Sequence, residues 1–167
     1  MNILTTTVWL VWDQMYDLLN AATWPTHPMT GKVPEVCFAG SREVSREMIT
    51  VPGMKPPQSP TETWATLGKP GRDETYTLVV YLWSQIPSFV DTTNEHDPSR
   101  LVRARVRDLT AVVENTFRDA TTGRPAGITV PGVWKHEISS IVPTVGPIEG
   151  GGFGASSTID ITFTARI

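Results

Sequence analysis

Apolar and polar positions alternate along residues 155–167, without a break from Thr158 onward. Ile159, Ile161, Phe163, Ala165 and Ile167 interleave with Thr158, Asp160, Thr162, Thr164 and Arg166. A period of two marks a strand with one buried and one wet face. The carboxyl end is therefore expected in or beside a sheet. The Gly-rich run from Gly150 to Gly154, which holds Gly151 and Phe153, reads as a flexible hairpin connection and a contact loop. A second alternation, Asp73 to Trp83, sets Tyr76, Leu78, Val80 and Leu82 on one face. Val79, Tyr81 and Trp83 make the far half of the opposite face apolar too, so that end needs a second cover. The cover is either the preceding loop or a neighbouring subunit.

Two stretches carry the helical period instead. From about Thr5 to Ala22, the stripe is Val8, Trp12, Met15, Leu19 and Ala22, with Asp13, Gln14, Asp17 and Asn20 opposite. Thr5, Thr6 and Thr7 offer hydroxyl caps, Pro25 and Pro28 bar continuation, and Trp9 and Trp12 read as core anchors. The second helix opens at Asp97-Pro98, a cap followed by proline in the first turn. It runs to about Ala120, with Gly123 near its end. Its buried stripe is Val102, Val106, Leu109, Val113, Phe117 and Ala120, and Arg100, Arg103, Arg105 and Arg107 lie on its other faces. Cations near a helix amino terminus oppose the macrodipole, at about 0.3–1 kcal/mol per exposed charge. Either these arginines form a solvated face or a partner's carboxylates compensate them.

Shorter strands are expected at about Val33–Ala39, about Val44–Val51 and about Trp134–Val142. Pro34 places the first of these at a sheet edge, because proline cannot donate to a ladder. Pro52-Gly53 breaks the second. From Pro52 to Arg72 the chain holds Pro56, Pro57, Pro60, Pro70, Gly68 and Gly71, which predicts a long loop pinned by Trp64 and Leu67. An interdomain linker is the rival reading of that stretch. The element order predicts an α+β domain: one largely antiparallel sheet of about four to five strands with both amphipathic helices on one face.

At 167 residues the chain reads as one domain. A chain of that size buries roughly 70% of its unfolded surface, enough for a core without disulfides or metals. Its formal charge of −3 argues against a dedicated nucleic-acid binder. The single Cys37 reads as a small apolar strand residue rather than a reactive thiol. The amino terminus lacks the basic start of a secretory signal. The run Val8–Trp12 stops far short of a membrane span. These features predict a protein that is soluble and intracellular when made.

Catalytic chemistry is not conspicuous. Glu95-His96-Asp97 has the right residue types for acid–base work, but Asp97 already has a helix to cap. His136 and Glu137 are neighbours in a strand and point to opposite faces. His27, His96, His136 and Cys37 show no metal-ligand spacing. The glycine run lacks the lysine and the following helix of a phosphate loop. No cofactor is expected.

Several of these elements together resemble a known family. They are the first helix, the strand ending Val51-Pro52-Gly53, Trp64-Ala65-Thr66-Leu67-Gly68, Arg72-Asp73-Glu74-Thr75-Tyr76 opening a long strand, the Arg-rich helix and the closing Ala165-Arg166-Ile167. The chain resembles, over nearly its whole length, the tail terminator proteins of long-tailed phages, especially those infecting actinobacteria. The resemblance implies a non-enzymatic homohexameric ring that caps the tail tube and joins it to the head-completion or neck proteins. Viral DNA would pass through its channel unread, and the protein would reside in the virion after assembly in the host cytoplasm. Carried over by position, Arg100, Arg103 and Arg107, Tyr81 and Trp83, and the two loops holding Trp64, Gly151 and Phe153 would be contact surfaces. The rival readings are another neck ring or a tube subunit and, in a different class, a small cytosolic enzyme or ligand-binding domain with a pocket under the long loop.

Overall fold

The strand with the cleanest alternation lies deep inside the sheet. The structure, a computed structural model, describes residues 6–38, 47–54, 61–64, 71–86, 97–119, 122, 125–149 and 151–166. For 52–54 and 61–64 only the backbone is described. Along the chain come α1 (Val8–Ala21), β1 (Glu35–Phe38), β2 (Glu47–Met54), β3 (Thr61–Trp64), β4 (Arg72–Ile86), α2 (Pro98–Phe117), β5 (Val133–Pro147) and β6 (Phe153–Arg166). The sheet has the order β1-β2-β4-β6-β5, and β3 pairs with β4 beyond the end of β2. All pairings are antiparallel except β1 with β2. Both helices cover one face, so the α+β architecture is as the sequence predicts.

The core follows from that stacking. Val11, Met15 and Leu19 of α1 and Leu109, Val113 and Phe117 of α2 meet Tyr76, Leu78 and Val80 of β4 and Ile159, Ile161 and Phe163 of β6. Tyr76 and Phe163 stand opposite each other in the ladder with ring centroids 5.5 Å apart. A smaller cluster of Ile86, Val102, Val106 and Ala155 continues the core under the first turns of α2, with Leu101 and Phe153 packed on it. Asp97 caps α2 as expected, its carboxylate accepting from the Ser99 amide at 2.9 Å.

Several expectations need correction. The residues 52–72 are not one loop: β2 runs through Pro52-Gly53, and Thr61–Trp64 form β3. The proline is tolerated because the register shifts between Thr50 and Gly53, and a bulge requires no donor there. β5 reaches Pro147, beyond the expected Val142, because the hairpin to β6 pairs it as far as Phe153. The polar face of β6 is not wet throughout: Asp160, 5% exposed, is buried between β4 and β5. The expected ends of helix and strand at Thr5, Ala39, Val44, Ala120, Gly123 and Ile167 lie outside the described residues.

The start of α1 is held chiefly by tertiary contacts, although the Thr6 hydroxyl also accepts from the Val8 amide at 3.3 Å. Thr7 occupies the cap position without a side-chain cap bond. The fully buried carboxylate of Glu74 in β4 instead accepts from the Thr7 amide at 2.6 Å, from the Thr7 hydroxyl, and from the Thr6 hydroxyl at 2.8 Å. An anion at a helix amino terminus is favoured by the macrodipole as well as by the orphan amides. The Tyr76 hydroxyl joins the network through Thr7, and burial pushes its pKa well above the ordinary phenol value.

Arg105 departs furthest from expectation. It is not on a solvated face; it is buried, with Nε donating to Glu47 Oε1 at 2.6 Å and Nη2 to Oε2 at 2.7 Å. Nη2 also donates to the Pro25 carbonyl at 2.7 Å, and the Ser84 hydroxyl donates to Glu47. The bidentate fork satisfies both charges where water is excluded. It ties α2 to β2, β4 and the segment after α1. Its signal was the spacing: Arg105 is three residues after Val102 and four before Leu109, on the flank of the buried stripe.

Candidate functional site

The residues marked as contact candidates do not converge on one site. Arg100, Arg103 and Arg107 are exposed on the outer face of α2, with Arg107 3.2 Å from Asp108. Arg103 and Arg107 form one wall of a groove, considered below. Tyr81 and Trp83 are half-buried on the sheet face away from the helices. Trp83 lies over Gly154, where a Cβ would collide with its indole and with Ile148, so part of the cover over β4 comes from the chain itself. Phe153 is half-buried in the smaller core cluster rather than displayed. Gly151 is exposed in the β5–β6 turn at φ +91°, a conformation that suits glycine. Trp64 ends β3, and its side chain is outside the described residues.

Asp97, His136, Glu137 and Cys37 each have a partner within the fold. Glu95 and His96 lie outside the described residues, and Asp97 is the cap. Arg100 and Arg103 add to the Ser99 hydrogen bonds in holding the Asp97 carboxyl below its ordinary pKa. His136 is buried beneath α2, stacked on Phe163, with Nε2 3.0 Å from the Ala126 carbonyl and 3.3 Å from that of Phe117. Two carbonyl neighbours assign the proton to Nε2, and the ring becomes a tie between α2 and β5. Glu137 faces the other way, paired with Lys135 at 3.0 Å. Cys37 is half-buried in β1, its Sγ 3.6 Å from the Ile49 carbonyl. Among the described residues no group of His, Cys, Asp and Glu is placed to hold a metal.

What the fold does display is two unlike apolar edges. At one edge α1 and β1 present a continuous run of rings. Trp9 is within 5.4 Å of Trp12, Trp12 within 5.5 Å of Phe38, and Phe38 within 4.3 Å of Tyr16, centroid to centroid. Trp12 is anchored by its Nε1, which donates to the Val51 carbonyl at 2.8 Å. Trp9, read from sequence as a core anchor, is instead 62% exposed. It sits a full residue step (100°) round the helix from Val8, off the buried stripe. Leu10 is exposed beside it, and Asp13, Asp17 and Glu35 are exposed nearby on the same two elements.

At the opposite edge, β5 extends past the cover that α2 provides. Ile141, Pro143 and Val145 pair with Ile159, Ser157 and Ala155, so they share the helix-side face but remain open. Between them and Val106 and Ala111 of α2 runs a groove of about 420 Å³. Its floor includes Ser157, whose buried hydroxyl has no hydrogen-bond partner. Apart from Arg103 and Arg107, the residues of these edges were not among the contact candidates of the sequence. The signals present were the off-stripe Trp9-Leu10 pair and the adjacent Ile141-Val142, which breaks the strand's alternation. No helix of the described residues is long and apolar enough to cross a membrane. No family model matches the chain, and no curated protein matches it.

Proposed function

We propose that the chain is a ring-forming structural protein of a long-tailed phage, a tail terminator that caps the tube and joins it to the neck. The observation that carries this reading is the pair of unlike apolar edges on one sheet. A long, apolar, exposed edge such as β5 is a liability for a lone domain and a natural contact for an assembling one. Two different surfaces on one subunit suit head-to-tail contacts, which close into a ring when the rotation allows. The phage identity rests on the resemblance in element order and motifs. A mildly acidic chain suits a channel through which DNA passes without being gripped.

Immunogold labelling of purified virions tests the assignment. Label confined to the tube–head joint is the expected result. Label along the whole tube would make the chain a tube subunit instead, and particles without label would refute a virion role.

A further inference from the structure

Resting on the ring reading, we infer that the aromatic ridge of α1–β1 on one copy seats in the α2–β5 groove of the next. The two surfaces are complementary in apolar character and in charge. The ridge's rings pack face to face and, at Trp12–Phe38, edge to face into a preorganised unit, and such rigid aromatic anchors dominate interfaces. The groove is concave, apolar at its base, and of a volume suited to large side chains. Asp13, Asp17 and Glu35 flank the ridge, whereas the groove is walled by Arg103 and Arg107, and its one lining carboxylate among the described residues, Glu114, is paired with Arg118 at 3.2 Å.

Topology excludes an internal fit. β2, β4 and β6 separate β1 from β5, about 19 Å across the sheet at the usual strand spacing. A chain therefore cannot place its own ridge in its own groove. Symmetric pairing is disfavoured by charge, since ridge on ridge opposes carboxylates and groove on groove opposes arginines. Ridge in groove is the arrangement that satisfies both, and the pair then has one ridge and one groove still to offer.

Complementation between two variants tests the contact. Trp9→Glu spoils the ridge and Val145→Glu spoils the groove, both at exposed positions. Analytical ultracentrifugation of the parent should show oligomers, and each variant alone should self-associate about 30-fold more weakly, as loss of a hot spot does. An equimolar mixture should form a heterodimer that grows no further, since only one intact ridge meets one intact groove. Arg103→Glu/Arg107→Glu serves as a second groove variant should Val145→Glu melt below the parent. Variants that assemble like the parent overturn the ridge-in-groove contact and leave the ring reading intact. So does loss of assembly in Trp9→Glu alone, which would indicate a ridge-on-ridge dimer. A parent that stays monomeric at every soluble concentration, with a groove that binds free indole, overturns both.

Discussion

Arg105→Ala is the sharpest test of how this fold is held. The substitution removes two charge-assisted hydrogen bonds, 2.6 and 2.7 Å long, and leaves the Glu47 carboxylate buried without its guanidinium. Removing one partner of a buried ion pair costs about 3–5 kcal/mol, because the remaining charge keeps its desolvation penalty. The Pro25 carbonyl loses its donor as well. At roughly 2–4 °C per kcal/mol for a chain of this size, the melting temperature should fall by roughly 6–20 °C. The same substitution at Arg100 or Arg103, on the exposed face of the same helix, should change stability by no more than about 0.5 kcal/mol. Urea denaturation followed by tryptophan fluorescence would measure all three, with the slope checked for constancy. Glu47→Leu combined with Arg105→Met removes both charges and should lose much less than the two single changes summed. A loss below about 1 kcal/mol for Arg105→Ala, the range of an exposed pair, would refute the reasoning.

Glu74→Ala should destabilise the protein by about 2–4 kcal/mol, since hydrogen bonds to a buried charge are strong and the Thr7 amide and the Thr6 and Thr7 hydroxyls lose their acceptor; amide exchange in the first turn of α1 should accelerate, and an unchanged α1 would count against this role. Asp73 forms a fork with Arg166 at 2.7 and 2.9 Å, and that bond holds the Asp73 carboxyl below its ordinary pKa. A carboxylate with a depressed folded pKa contributes stability above its unfolded value and loses it as pH falls through the folded one. The advantage of the parent over Asp73→Asn should therefore be constant at neutral pH and vanish on acidification below about pH 4, and a pH-independent difference would contradict the assignment. Deleting residues 162–167 should abolish folding, because Phe163 and Ala165 are fully buried in a strand paired on both sides; a soluble truncation that melts cooperatively would contradict it.

Elements whose signals are local were legible from the chain alone. The Asp97-Pro98 start of α2 and its stripe from Val102 to Phe117 rest on capping and helical spacing. The buried faces of β4 and β6 rest on a period of two, and Pro34 correctly put β1 at an edge. These patterns depend only on a residue's position within its own element. Part of the candidate site was also readable, since Arg103 and Arg107 were marked for contact and do wall the groove.

What only the tertiary structure decided are the matters of partnership. Four arginines within two turns look alike in sequence, yet Glu47 on β2 draws Arg105 inside while Arg100, Arg103 and Arg107 stay exposed. The start of α1 is anchored by Glu74, remote along the chain, to which the local Thr6 and Thr7 hydroxyls themselves donate. The closing strand's pattern announced a strand but not that β4 and β5 would flank it and bury Asp160 on its polar face. Likewise Val145 became a surface feature because β5 extends past the cover that α2 provides. The physical reason is common to all four. Periodicity reports which side of an element avoids water, whereas the identity of whatever does the covering is fixed by long-range packing that no local window contains.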